Sequence, residues 1–261
     1  MTTDTHTAAT FPVGCTAFRG PLLHFIAEPG LNKPDPASYE YHADGLLVVA
    51  DGRVLANGAA DTLLPQLPVG TEVEQWPDSL IMPGMIDTHV HMPQLAVLAS
   101  YGTQLLEWLE TYTFPTEARF ADAGWAADQS QLFLDLLLAH GTTSALVFST
   151  SHKVAAEALF NAADGYNMAI TSGKVMTDCH APDGVRDTAE ASYTESRELI
   201  ERWHGHGRQR YAVTPRFAAT STPKQLTYAG QLIAEYPDVL MQTHWAENHA
   251  EIAWIKELFP E

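Results

Sequence analysis

The sequence predicts an α/β fold, an incomplete (β/α)8 TIM-like barrel of about five βα units preceded by a small β-sandwich module. Residues from about 15 to 76 are rich in β patterns, whereas beyond residue 80 short β-branched runs alternate with helix-length segments. Such alternation is typical of parallel strands that are covered by helices. We therefore expect a β module at 1–79 and a (β/α) barrel, its first part only, at 80–261.

The β module contains a clear hairpin signal. The apolar runs 45–50 and 53–56 flank the dipeptide Asp51-Gly52. Asp-Gly between two such runs favours a two-residue turn, because both residues tolerate a positive φ angle. The sequence predicts two antiparallel strands here.

The barrel region has five predicted strands, each with a helix-length segment after it. A closed barrel of eight units typically takes about 250 residues, more than lie beyond residue 80. The count therefore leaves three units unaccounted for. The predicted strands are 80–91, 142–150, 169–176, 211–217 and 239–247, and the predicted helices are 126–140, 153–164, 190–204 and 223–236, with one more starting at His249.

Composition narrows the possible partners. The 261 residues carry a net charge of −18, from 14 Lys and Arg against 32 Asp and Glu. The negative electrostatic potential of such a chain repels a phosphate backbone or an anionic bilayer, so we expect a small neutral or cationic ligand, no nucleic acid and no membrane.

The two cysteines, Cys15 and Cys179, form no CxxC pair, which argues against a disulfide framework or a thiolate zinc site. Residues 1–6 lack the features of a secretory signal, so we expect a cytoplasmic protein.

A pair of histidines ends the first predicted strand, in Asp87-Thr88-His89-Val90-His91. Successive side chains of a strand alternate between faces, so His89 and His91 project to the same side and can offer two imidazole nitrogens to one metal ion. The alternative is a pair of half-buried strand histidines without a metal. The apolar strand before them and a third histidine at an equivalent strand end favour the metal site.

His244 and Glu247 lie at the end of the fifth predicted strand. At a strand end, His244 can supply a third metal ligand, and Glu247 can take a proton from a metal-activated water and deliver it to a leaving group. Glu247 could instead stabilise the start of the following helix, and the two roles are compatible.

Three further residues fit a substrate pocket. The Gln94 amide offers a donor and an acceptor, and the Arg216 guanidinium offers a planar fork of donors, which suits a flat heterocycle. Phe217 can stack on such a ring. The alternatives are a surface glutamine, an arginine paired with a carboxylate, and a core phenylalanine. The segment 105–110, with Tyr112 and Phe114-Pro115, fits equally a lid over the pocket and a packed helix.

These motifs together resemble those of the amidohydrolase superfamily and, within it, the guanine deaminase family. The most specific of them is the segment LLEWL followed by YTFPTE. The matching segments are 83–94, 105–109, 112–117, 141–143, 173–176, 214–217 and 243–248.

The resemblance implies a function and a role for each site residue. His89, His91 and His244 would bind zinc (Zn2+), one per subunit, or another divalent metal, with no other cofactor. Glu247 would shuttle protons, and Gln94, Arg216 and Phe217 would hold guanine. The implied reaction is hydrolytic deamination of guanine to xanthine and ammonia by a metal-activated water, a step in purine salvage or catabolism. A homodimer is the implied assembly.

The chain also departs from the family pattern. The family has a further histidine on the sixth strand and a metal-binding aspartate on the eighth, and the sequence ends at Glu261 before either. We therefore expect a form truncated at the C-terminus that is unstable and nearly inactive alone, because an open arc of strands leaves edges unpaired. Two alternatives remain: an aminohydrolase of a related heterocycle, such as a triazine or an adenine-type base, and an inactive truncated paralogue that acts as a binding protein.

Overall fold

The computed structural model describes residues 11–30, 35–102 and 104–260. The expectation that 1–6 is not a secretory signal lies outside these residues. The chain divides into two compact units, Met1–Pro83 and Gly84–Glu261. Within the described ranges, no helix is both long and apolar enough to cross a bilayer.

The first unit contains one four-stranded sheet with the order β3-β2-β1-β4. β1, β2 and β3 pair antiparallel, and β4 runs parallel to β1. Only this sheet is seen in the described part of the unit, so the β-sandwich stays a prediction. The strands are β1 (Thr16–Phe25), β2 (Tyr39–Ala50), β3 (Arg53–Ala59) and β4 (Val73–Gln75).

The predicted hairpin is confirmed. β2 and β3 are joined at Asp51 and Gly52, whose φ angles are 51° and 70°. Two consecutive positive φ angles match the twist of the flanking strands, so the turn closes the hairpin without splaying it.

The second unit is an α/β structure built on a parallel sheet, as the sequence predicts. The strand order is β10-β9-β7-β6-β5, with β8 beside β9. Closure of such a sheet into a barrel stays a prediction. The strands are β5 (Met85–His91), β6 (Thr142–Phe148), β7 (Ala169–Gly173), β8 (Val175–Met176), β9 (Arg210–Pro215) and β10 (Leu240–Met241).

Three predicted strands differ most from the strands of the structure. The run 80–91 becomes β5 only from Met85, because the Ile81 amide and carbonyl bond to Pro21 and Leu23 of the first unit. The run 169–176 is interrupted at Lys174, which separates β7 from β8. The run 239–247 forms two residues of strand and then a loop.

All five predicted helices are present, with ends shifted by at most three residues. The largest shift is at α4, which starts at Ala123 because the Asp122 side chain accepts a hydrogen bond from the Trp125 amide at 2.7 Å. The helices are α1 (Ala60–Leu63), α2 (Leu105–Trp108), α3 (Phe114–Ala118), α4 (Ala123–Ala139), α5 (Lys153–Gly165), α6 (Ala189–Trp203), α7 (Pro223–Glu235) and α8 (His249–Leu258).

The core of the second unit lies where its helices cover the sheet. Val147 and Ile170 of the strands are buried in one cluster with Leu159, Phe160 and Trp203 of the helices. Phe160 and Trp203 stack with ring centroids 5.4 Å apart. Each such fully buried side chain contributes roughly 1.5–3 kcal/mol. This packing fixes the strands whose carboxyl ends carry the site.

Candidate active site

Three histidines meet at the carboxyl ends of the strands. Nε2 of His91 lies 3.3 Å from Nε2 of His89 and 3.0 Å from Nε2 of His244. All three ligand atoms are within 4.8 Å of one another, although His244 is 153 residues from His91. The structure therefore brings together the three residues that the sequence proposed as a metal site.

The backbone sets the direction of each ring. His89 and His91 share a face of β5, and Oδ1 of Asp87 accepts a hydrogen bond from the His89 amide at 3.0 Å. His244 is held by the backbone of Arg216. The Arg216 carbonyl oxygen lies 3.0 Å from the His244 amide nitrogen and 2.8 Å from its Nδ1. Because a carbonyl only accepts, Nδ1 of His244 carries the proton and Nε2 keeps its lone pair for the centre of the cluster.

Phe148 forms an apolar backing behind the three imidazoles. It pairs with His91 across β5 and β6, and the two rings stack with centroids 4.7 Å apart. The same ring lies 4.2 Å from His244 and 5.1 Å from His89. Sequence reasoning missed Phe148, although its position at the end of a predicted strand was a usable signal.

The surroundings of His91 and His244 favour the neutral form of these two imidazoles. Burial, together with the smaller influences of the nearby His244, Arg216 and His89, lowers the pKa of His91 to about 2. Burial also lowers the pKa of His244, against the opposing influences of its bond to the Arg216 carbonyl and of the Glu247 carboxylate. Neutral imidazole is the form that binds metal ions, so the site is prepared for a cation at neutral pH.

A cavity of about 760 Å³ opens over the histidines. This volume is in the range of small-molecule sites. All seven residues proposed from the sequence line it, namely His89, His91, Gln94, Arg216, Phe217, His244 and Glu247.

Arg216 is paired with a carboxylate, one of the alternatives that the sequence left open, and it also lines the cavity. Its guanidinium lines the cavity and also pairs with Glu117, with Nη1 2.7 Å from Oε2. The guanidinium carbon lies 5.0 Å from the centre of the Phe114 ring. The Glu117 carboxylate therefore neutralises the charge of Arg216 and also holds its guanidinium at the cavity wall.

Gln94 and Phe217 border the same cavity from two sides. Gln94 belongs to the 3-10 helix Met92–Val97 that follows β5 directly. Phe217 is buried and meets the Trp254 ring edge-on at 6.1 Å. Short connections after β5 and β9 thus bring an amide and an aromatic ring to the histidines.

The segment after Gln104 is packed and also forms part of the cavity wall. Leu109 and Phe114 are buried in a cluster with Val185. Leu105, Trp108 and Leu109 line the cavity. The packed-helix interpretation therefore holds, and the same residues cover the pocket.

Glu251 is a second carboxylate at the cavity that sequence reasoning missed. It is 4% exposed and lines the cavity together with Glu247. A signal was present, because Asn248 and Glu251 have the spacing of an N-cap residue and its partner at the start of a helix.

The amidohydrolase family model matches residues 80–261. The chain belongs to the amidohydrolase family. This confirms at the family level the resemblance given by the sequence motifs.

Individual members of the family agree with this assignment. Guanine deaminase of Escherichia coli (strain K12) is 50% identical over 218 residues, which cover 84% of this chain and 50% of that protein. The solved E. coli guanine deaminase matches with a TM-score of 0.89 at 45% identity, over 94% of this chain and 57% of that one. A C. acetobutylicum guanine deaminase with bound guanine in its active site matches with a TM-score of 0.80 at 28% identity, over 94% of this chain and 56% of that one. The chain spans about half the length of these relatives.

Proposed function

We propose that this chain carries a guanine deaminase site, which converts guanine and water to xanthine and ammonia. The observation that carries the proposal is the meeting, in one cavity, of three imidazole nitrogens with Glu247, Gln94 and Arg216. The similarity to guanine deaminases over most of the chain supports the choice of substrate. In this proposal the residues 80–261 are the hydrolase domain, the first part of a (β/α)8 barrel, and 1–79 is an accessory β module.

His89, His91 and His244 would hold a divalent metal, which we propose to be zinc. Tetrahedral zinc sites with metal–nitrogen distances of about 2.0–2.1 Å place their ligand nitrogens roughly 3.3 Å apart. The observed separations of 3.3 and 3.0 Å between the Nε2 atoms fit this requirement. When bound, the ion supplies a Lewis acid that makes a water molecule nucleophilic near neutral pH.

Glu247 is the proposed proton carrier. It lines the cavity with the histidines, and its charge acts on His244. Its carboxylate takes a proton from the attacking water while the water oxygen bonds to the purine carbon that bears the amino group. It then returns the proton to that amino group, which leaves as ammonia.

Gln94, Arg216 and Phe217 are proposed to hold the base. An amide and a guanidinium together match the carbonyl, ring-nitrogen and amino groups of guanine. Glu117 already neutralises Arg216, so the subsite favours a neutral acceptor-rich ring over an anion. Phe217 supplies an apolar face for stacking. A homodimer and a cytoplasmic location stay predictions.

The test is deamination by the zinc-loaded chain, with xanthine measured by chromatography and ammonia by a coupled assay. We expect guanine to be converted slowly, as for a chain that is nearly inactive alone, but faster than adenine or melamine, and Glu247→Gln to abolish this turnover while zinc content is kept. Glu257→Gln, an exposed change near the far end of α8, is the matched control and keeps turnover. Faster conversion of adenine or melamine would assign the site to another aminohydrolase. Zinc and guanine binding without any product would assign the chain as a binding protein.

A further inference from the structure

We infer that Glu251 is a positioning residue, a carboxylate clamp that holds the turn carrying Glu247 against the metal site. The inference deepens the proposed function and rests on it, since it concerns the residue proposed to move the proton. It starts from two hydrogen bonds. Oε1 of Glu251 accepts from the Ala246 amide at 3.1 Å, and Oε2 accepts from the Glu247 amide at 2.6 Å.

The clamp differs from ordinary helix capping. Asn248 is the N-cap residue of α8, and its side chain accepts a hydrogen bond from the Glu251 amide at 2.9 Å. In a capping box the glutamate at the third helical position bonds back to the amide of the N-cap residue itself. Glu251 instead bonds to the two amides before Asn248, so its carboxylate holds the turn that contains Glu247.

The turn needs such a restraint. Ala246 has a φ angle of +54°, a left-handed conformation that residues with a Cβ adopt at a cost. An extended conformation at Ala246 would change the chain direction between His244 and Glu247 and move the Glu247 carboxylate relative to the imidazoles. Two charge-assisted hydrogen bonds from one buried carboxylate hold the strained conformation in place.

The placement of Glu251 links the clamp to the reaction. Glu251 is buried and lines the same cavity as Glu247. Both of its oxygens already accept backbone amides, whereas among the described residues no backbone amide donates to the Glu247 carboxylate. The two neighbouring carboxylates are therefore divided between positioning and proton transfer.

The test compares Glu251→Gln with Asn248→Ala. Glutamine has only one oxygen, so it cannot accept from both amides, and we expect kcat to fall about 10- to 100-fold with KM and zinc content unchanged. Asn248→Ala removes a different bond at the same helix start and is expected to lower the melting temperature while kcat stays within about twofold. Equal losses of kcat in both variants, or an unchanged kcat in Glu251→Gln, would overturn the clamp.

A second measurement is independent of turnover. Amide hydrogen exchange, followed by NMR on the unmodified chain, is expected to show slow exchange at Ala246 and Glu247, and at least tenfold faster exchange at both in Glu251→Gln. Fast exchange of both amides in the unmodified chain would refute the clamp even if the variant does not fold. The two hypotheses can also fail separately. If both amides exchange faster in Glu251→Gln but the unmodified chain makes no xanthine, the clamp is kept and the proposed function is refuted.

Discussion

Arg216 and Glu117 form an ion pair between segments 99 residues apart, with side chains that are only 5% and 2% exposed. The backbone carbonyl of Arg216 also accepts the Nδ1 proton of His244. One residue therefore connects the proposed base subsite, through its guanidinium, with the proposed metal site, through its carbonyl. The fixed position of Arg216 depends on the carboxylate of Glu117.

Glu117→Gln is expected to raise KM for guanine and to lower the free energy of unfolding by about 3–5 kcal/mol, because it leaves the buried guanidinium without a counter-charge. Urea unfolding and steady-state kinetics measure the two effects. Glu110→Gln, an exposed change in the same segment, is the control and should change stability by no more than about 0.5 kcal/mol. A Glu117→Gln variant with the stability and KM of the unmodified chain would show that the pair does not position Arg216.

His244→Ala is expected to abolish stoichiometric zinc binding, because two imidazoles on β5 cannot close the site alone. Metal analysis after gel filtration measures the content. Zinc should also stabilise the unmodified chain, by about 2.7 kcal/mol at a free concentration of 100 times Kd, and this gain should vanish in the variant. His206→Ala, at an exposed histidine that pairs with Asp164, should retain both effects. Full zinc content in His244→Ala would exclude His244 as a ligand.

The parts of the site that the sequence predicted depend on local rules. His89 and His91 share a face because strand side chains alternate, and the carboxyl ends of parallel strands lie at one edge of a sheet. Arg216 directly follows β9 and could be placed at that edge from its predicted strand, whereas His244 lies in the loop after β10. The parallel α/β fold followed from the same alternation of strand and helix patterns.

The remaining features depend on tertiary contacts that no local pattern contains. The partner of Arg216 is one of 32 acidic residues, and only the packing of the segment around Phe114 selects Glu117. Lys174 looks like an ordinary residue inside a predicted strand, yet it is fully buried, pairs with Asp187 and lies between β7 and β8. The single predicted strand 169–176 is therefore two strands in the structure.

The metal-free chain is expected to lose stability as the pH falls from above 6.5. Burial lowers the pKa of His91 to about 2, so the unfolded chain takes up a proton near pH 6.5 while the folded chain does not. Between pH 6.5 and about pH 2, proton binding by this histidine therefore favours the unfolded state. Urea midpoints at pH 7.5, 6.5 and 5.5, with a chelator present, should fall less steeply for His91→Asn than for the unmodified chain. His206→Asn should follow the unmodified chain, and an identical slope for His91→Asn would contradict the buried neutral imidazole.

Lys174→Met is expected to lower the free energy of unfolding by about 3–5 kcal/mol. The Lys174 side chain is fully buried, pairs with Asp187, and has its Nζ 3.3 Å from Oε2 of Glu195. Without the ammonium group, the largely buried Asp187 carboxylate loses its counter-charge, and burial already raises the pKa of that carboxyl. Lys153→Met removes a partly exposed pair with Glu198 and should cost at most about 1 kcal/mol. Equal urea midpoints for the two variants would show that the buried pair stabilises the fold no more than a surface pair.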